Sequence, residues 1–213
     1  MTEQLTTKNI ILLISGVLMT ALAVTIYVVS NLGVSTVSSI PLVLNVTFPS
    51  ISLGMTTIIF QAVLILILCL LYGLKVKYLV SMLLGVLFGT VVDVFFKVWD
   101  YIPLHALPNY ITLLLALLLL PLGVSLAIRS KLTALPFDLI VSEIAAFQAK
   151  EISTIKIWFD VSCVITTLSL SVIFHQKIIG IGIGTIIATL LTGKLIQIFL
   201  KLGNKSLERT ITK

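Results

Sequence analysis

Three charged residues fall inside stretches otherwise made mostly of leucine, isoleucine and valine: Asp93, Asp160 and Lys194. An ionised side chain at the centre of a bilayer costs roughly 2.5–3.5 kcal/mol by insertion scales. Such residues therefore mark solute or ion pathways, pair with one another, or sit near enough to a helix end to reach the interface. Gln61 is an uncharged polar residue in a similar setting, and Asp138 and Glu143 interrupt a shorter apolar segment. The chemistry open to this set is recognition and passage of a solute. Bond-making would need a nucleophile with its base, and no Ser, His and acid combination or HExxH helix is present. His105 and His175 stand alone in connections with no second ligand at metal spacing, so neither a metal, a cofactor nor a catalytic residue is expected. Gly180, Gly182 and Gly184 do not make a nucleotide loop, because no strand precedes them and no Lys-Ser/Thr pair follows. An opened helix start there would still offer backbone N–H groups to an anion.

The expected arrangement has Asp160 and Lys194 paired or sharing a group of the solute, with Gln61 and Asp93 forming a second polar layer. A plainer role for Asp93 is an ion pair with Lys97, one turn on. Asp138 and Glu143 line the pathway if their segment re-enters the membrane, and are solvated if it lies on the surface.

The elements that carry these groups are membrane helices. Of the 213 residues 59% are hydrophobic and 10% charged, and the mean hydropathy is +1.22, outside the range of soluble domains. A net charge of +6 raises the question of nucleic acid, but the basic residues sit between apolar runs without interleaved aromatics and serve better as topology signals. Long apolar runs cover about 10–29, 53–74, 78–96, 110–128, 156–174 and 177–200. Two shorter ones, 34–48 with Pro41 and 132–148 with Pro136, are too short to cross comfortably and read as re-entrant or interfacial helices. Residues 1–9 and 201–213 are read as polar tails around one membrane domain, 10–200. The first run is too long for a cleavable signal, and Cys69 and Cys163, both mid-run, are read as packing residues.

The last apolar run carries Gly180, Gly184, Ala188 and Thr192 four apart, and the third carries Ser81, Gly85, Gly89 and Asp93 likewise, the two sets related by an offset of 99. Small-residue ridges let membrane helices approach closely, and the two ridged helices are expected to meet. At the same offset Phe60 faces Phe159, Gln61 faces Asp160 and Thr90 faces Thr189. The layout of span, short segment, span, span occurs twice, about 10–97 and 110–200, an internal repeat. With six spans, all Lys and Arg except Lys97, Lys177 and Lys194 fall on the side of the termini; eight spans give a far weaker bias. The reading is therefore an all-α polytopic membrane protein with six spans, two short helices, inverted repeats and both termini in the cytoplasm, with eight spans in parallel repeats as the alternative.

Three segments carry a family resemblance: NLGVSTVSSIP at 31–41, IKIWFD at 155–160 and GTIIATLLTGK at 184–194. They resemble the YczE-like bacterial integral membrane proteins, relatives of the YitT type. One departure is Ile183, where that family often has Glu before the Gly-Thr pair. The resemblance implies a multi-pass protein of the bacterial inner membrane, described as permease-like, and supplies no substrate. The functional expectation is a carrier of an unknown small solute by alternating access, with the lipid bilayer as its surroundings and no nucleic acid. The alternative is a non-transporting membrane partner or substrate-binding subunit of a larger complex; the protein partners open to either reading are a second copy, forming a homo-oligomer, or another membrane protein.

Overall fold

A computed structural model describes residues 6–102 and 107–211, with side chains through Gly203. The described chain forms eight helices: α1 (Thr7–Ser30), α2 (Thr36–Thr47), α3 (Leu53–Tyr72), α4 (Val76–Trp99), α5 (Asn109–Ser130), α6 (Pro136–Gln148), α7 (Ile152–His175) and α8 (Ile183–Ile211). Six of them, all but α2 and α6, are long and apolar enough to cross a membrane. The shortest of the six has 20 residues, about 30 Å of helix and one hydrocarbon thickness. α2 and α6 reach only about 18 and 20 Å.

The repeat is visible in the backbone. α1 ends at Asn31 and α5 at Lys131, both left-handed at φ 54° and 56°. At each end the last serine bonds back into its helix and then receives the next turn. Ser30 Oγ donates to Tyr27 O (2.7 Å) and accepts from Leu32 N (3.3 Å), while Ser130 Oγ donates to Ala127 O (2.6 Å) and accepts from Leu132 N (3.3 Å). α1 and α5 cross where Gly16 lies on Gly123 and Ala127, and Thr20 on Gly123. As one helix ascends the other descends, so the pair is antiparallel. This fits three crossings per half and inverted repeats; eight crossings would leave α1 and α5 parallel.

Each short helix lies along the third helix of the other half. α2 runs parallel to α7, through Thr36–Asp160, Ser39–Thr167 (2.7 Å) and Thr47–His175 (3.0 Å). α6 runs parallel to α3, from Pro136 beside Gly85 and Gln61 to the Phe147 ring on Tyr72 (4.8 Å between centroids). Asp160 and Gln61 each lie eight residues into their helix, about 12 Å from its start. Both short helices therefore begin at depth and run outward to opposite faces, which makes them re-entrant and not interfacial. The near face, where α1 begins, carries the Lys75–Lys77 turn; the far face carries the end of α7.

Two expectations need correction. Lys177–Gly182 is not helical, and Gly180 is a turn residue at φ +77°. Its carbonyl accepts from Val34 N (3.0 Å), so the backbone there is engaged by the α1–α2 connection and not by a helix. Nor do the ridged helices meet. The halves join along α1 and α5, and α4 and α8 do not pack along one another. The α4 ridge is used inside the first half and against α6: Gly89 on Gly54 and Ile58, Gly85 on Gln61 and Pro136, and Ser81 Oγ on Ala134 O (2.7 Å). On α8, Gly184 rests against Leu32 and Leu113, and Ala188 is buried in the α1–α5 core. α8 also continues as helix to Ile211, through most of the predicted tail.

Candidate functional site

α3 packs closely along α4, but α7 and α8, their repeat partners, do not pack along one another. The space between them is a cavity of about 480 Å³ that also reaches α1, α4 and α5 and the first turns of both short helices. Its walls are largely apolar, with Phe88 and Phe137 in edge-to-face contact at 5.9 Å. Its charged groups gather at one place. Lys156 and Asp160, one turn apart on α7, form an ion pair at 2.7 Å, and Thr36 Oγ1 at the start of α2 donates to the same Asp160 oxygen at 2.9 Å. The Asp160 side chain is only 13% exposed. Its charge is offset by the ammonium, the hydroxyl and the positive end of α2, all needed where water is scarce. Ser35 precedes α2 without capping it through its side chain, so the first-turn N–H groups of α2 stay at the cavity edge.

Asp138 lines the same cavity from the first turn of α6, close enough to Lys156 and Asp160 to feel both charges. The re-entrant reading of this segment thus places its aspartate with Asp160. Glu143 is not part of that set. Five residues further along α6, it lies at the near face, where it accepts from Lys77 (2.5 Å), Lys75 (3.4 Å) and Tyr78 Oη (2.8 Å). Burial alone would raise its carboxyl, but the hydrogen bonds from Lys77 and Tyr78 outweigh it and hold the pKa below the usual value. The Lys75 ammonium is raised, by its contact with Tyr78 and then by Glu143.

The expected Asp160–Lys194 pair does not form. Lys194 is exposed on α8, and among the described residues it has no hydrogen-bond or ion-pair partner; the parting of α7 from α8 leaves Lys156 as the cation within reach. Asp93 does not pair with Lys97 either. It accepts from Ser52 Oγ (2.5 Å) and from Gly54 N (2.7 Å), fastening the start of α3 to α4. Gln61, the repeat counterpart of Asp160, is 0% exposed, and neither its amide nitrogen nor its oxygen has a partner. It is sealed between Gly85 and the start of α6.

A second cavity of about 570 Å³ lies toward the far face, lined by Tyr27, Asn31, Asn45 and residues 178–183. Residues 31–34 line this one and 35–38 the first. Between the cavities two backbone stretches cross, with Val34 N on Gly180 O and Gly184 N on Leu32 O (2.8 Å). A side chain on Gly182 would collide with the Leu32 carbonyl, so this crossing depends on bare backbone.

Sequence reasoning missed Lys156 and Thr36. The KxxxD spacing at 156–160 was a usable signal, since it sets both groups on one helix face. Thr36 had none, because its contact spans 124 residues. Among the described residues no cluster of three His, Cys, Asp or Glu side chains gathers, and His105 lies outside them. His175 meets Thr47, and both cysteines are free.

A family model described as a family of unknown function (DUF6198) matches residues 7–201, and the chain belongs to that family. No curated protein and no solved structure matches it.

Proposed function

We propose that this member of a family of unknown function is a permease-like carrier that moves a small solute by alternating access. The observation that carries the reading is the asymmetry of two inverted halves: one helix pair is closed, its counterpart is parted around a cavity with charges at mid-depth, and backbone closes that cavity toward the far face. Inverted repeats whose broken helices end at a central site are a recurrent carrier design. Exchange of the closed and parted roles between halves would turn the site to the other face. The basic bias of the sequence favours a cytoplasmic near face, and with it both termini in the cytoplasm, and the YczE-like resemblance points to a bacterial inner membrane. All three segments that carry the YczE-like resemblance border one or both cavities.

A non-transporting role as a membrane partner has one observation in its favour: α7 and α8 each bury only 17% of their apolar window, leaving faces for another subunit. The test is solute uptake into proteoliposomes by a variant lacking Cys69 and Cys163 and carrying cysteines at Ile165 and Thr189. Bridging α7 to α8 with a cleavable bis-maleimide should abolish uptake, and cleavage should restore it. Uptake indifferent to the bridge would overturn alternating access at this cavity.

A further inference from the structure

The cavity between α7 and α8 is built unevenly. Its single ammonium, Lys156, is committed to Asp160, and Asp160 is further held by Thr36 at the start of α2. Asp138 remains. It faces the same cavity and accepts no hydrogen bond from any described residue. A carboxylate at this depth without a donor leaves strong acceptor sites pointing into a space whose other walls are mostly apolar. Those walls include Phe137, next to Asp138 in sequence and backed by the buried Phe88 ring, and the Val161, Val164 and Ile165 side chains of α7, which offer apolar surface to a cation's hydrocarbon body. An anion would meet two carboxylates and would have to displace Asp160 from both Lys156 and the α2 end. A divalent metal would find two carboxylates and mostly hydrocarbon, a poor match for an ion that takes six or more oxygens or a near-ideal octahedron.

We infer that the cavity is a site for a small organic cation, an amine with an apolar body, whose ammonium binds Asp138 while its hydrocarbon part lies against Phe137 and the Val161, Val164 and Ile165 side chains. The volume of about 480 Å³ falls within the span of small-molecule pockets, roughly 300–1,000 Å³. Asp138 supplies the charge complement, and the Lys156–Asp160–Thr36 set holds the neighbouring wall. This inference rests on the carrier reading but fails separately from it.

The experiment uses the full chain in nanodiscs, with Cys69 and Cys163 replaced by alanine and Thr189→Cys as the reporter in the cavity wall. The rate of maleimide labelling is measured with phenethylammonium, and with phenylacetate as the probe of like shape and opposite charge. The amine should slow labelling at least five-fold and phenylacetate should leave it unchanged. In the same background Asp138→Asn should label at the unliganded rate with or without the amine. Equal or better protection by phenylacetate, or full amine protection in Asp138→Asn, would overturn the inference. The comparison of the two probes needs no change at Asp138, so it decides the matter even for a poorly folding variant. Protection by the amine without its uptake into proteoliposomes would uphold the ligand class and remove transport. Uptake of another solute without amine protection would do the reverse.

Discussion

The two halves use the same order of helices, yet α3 lies along α4 while α7 and α8 part. The difference traces to a handful of positions. α3 and α4 touch through Gly54 and Gly89, where a side chain on either would overlap the other's backbone. At an offset of 99 the second half has Ser153 and Ala188, whose added atoms forbid that approach. Asp93 fastens the start of α3; its counterpart is Thr192, a cavity-lining residue. In the first half the polar residue eight positions into its helix is Gln61, sealed and without a partner. In the second it is Asp160, held by two donors beside the cavity. Closure therefore removes water from a polar group, and parting supplies the room and the partners. In a carrier that exchanged the two arrangements, Gln61 would gain its partners only when α3 and α4 part.

The comparison can be broken most strongly at the glycine contact. Gly89→Leu should cost about 3 kcal/mol, since the Gly54 carbonyl is backbone and cannot yield, and should open α3–α4 to labelling at Ile65→Cys, a position buried in the wild-type packing. Unchanged thermal stability and labelling would show that the contact does not hold the first half shut. Next is Asp160→Ala, which strands Lys156. A fully buried pair loses about 3–5 kcal/mol when one partner goes, but Lys156 is 37% exposed, so about 2 kcal/mol is expected, with uptake lost. Asp160→Asn keeps an acceptor for Thr36 and should lose less stability yet still lose uptake; normal uptake would remove Asp160 from the pathway. Gln61→Leu should be neutral or stabilising by about 1 kcal/mol, because it removes an amide buried without a partner. If uptake nevertheless falls, the amide acts in the other arrangement.

The smallest effect lies at the near face. The Glu143 pKa is lowered in the folded chain, so its contribution is complete above the unfolded value near 4.3 and fades as pH drops through the folded one. Wild type should thus lose stability on acidification by about 1 kcal/mol or less, as Lys75 and Lys77 are largely exposed, and Glu143→Gln should flatten that part of the melting profile between pH 6 and 3. An unaltered profile would mean the cluster is loose in solution.

Much of the architecture was legible because length and composition speak directly for membrane helices. The six spans, the two short segments and the duplicated layout all follow from where apolar runs begin and end. The small-residue ridges were also legible as packing surfaces, but a stripe of Gly and Ser does not say what lies on it. Gly85 and Gly89 proved to receive α3 and α6, not α8. The start of α8 was misjudged because Ile178–Ile181 is as apolar as a helix interior, and only the contacts of Gly180 with Val34 and of Leu32 with Gly184 explain its unwinding. The site was half legible. A charge inside an apolar run is visible, so Asp160 and Asp138 stood out, but which cation answers Asp160 depends on the angle between two helices, and no local pattern carries that.

The whole account depends on the halves being inverted. The direct measurement is labelling of intact cells by a membrane-impermeant maleimide at Lys75→Cys and, separately, at Lys177→Cys, each as the sole cysteine. Inverted halves predict that Lys177→Cys reacts in intact cells and Lys75→Cys only after the membrane is opened. Reaction of both from the same side would contradict the account.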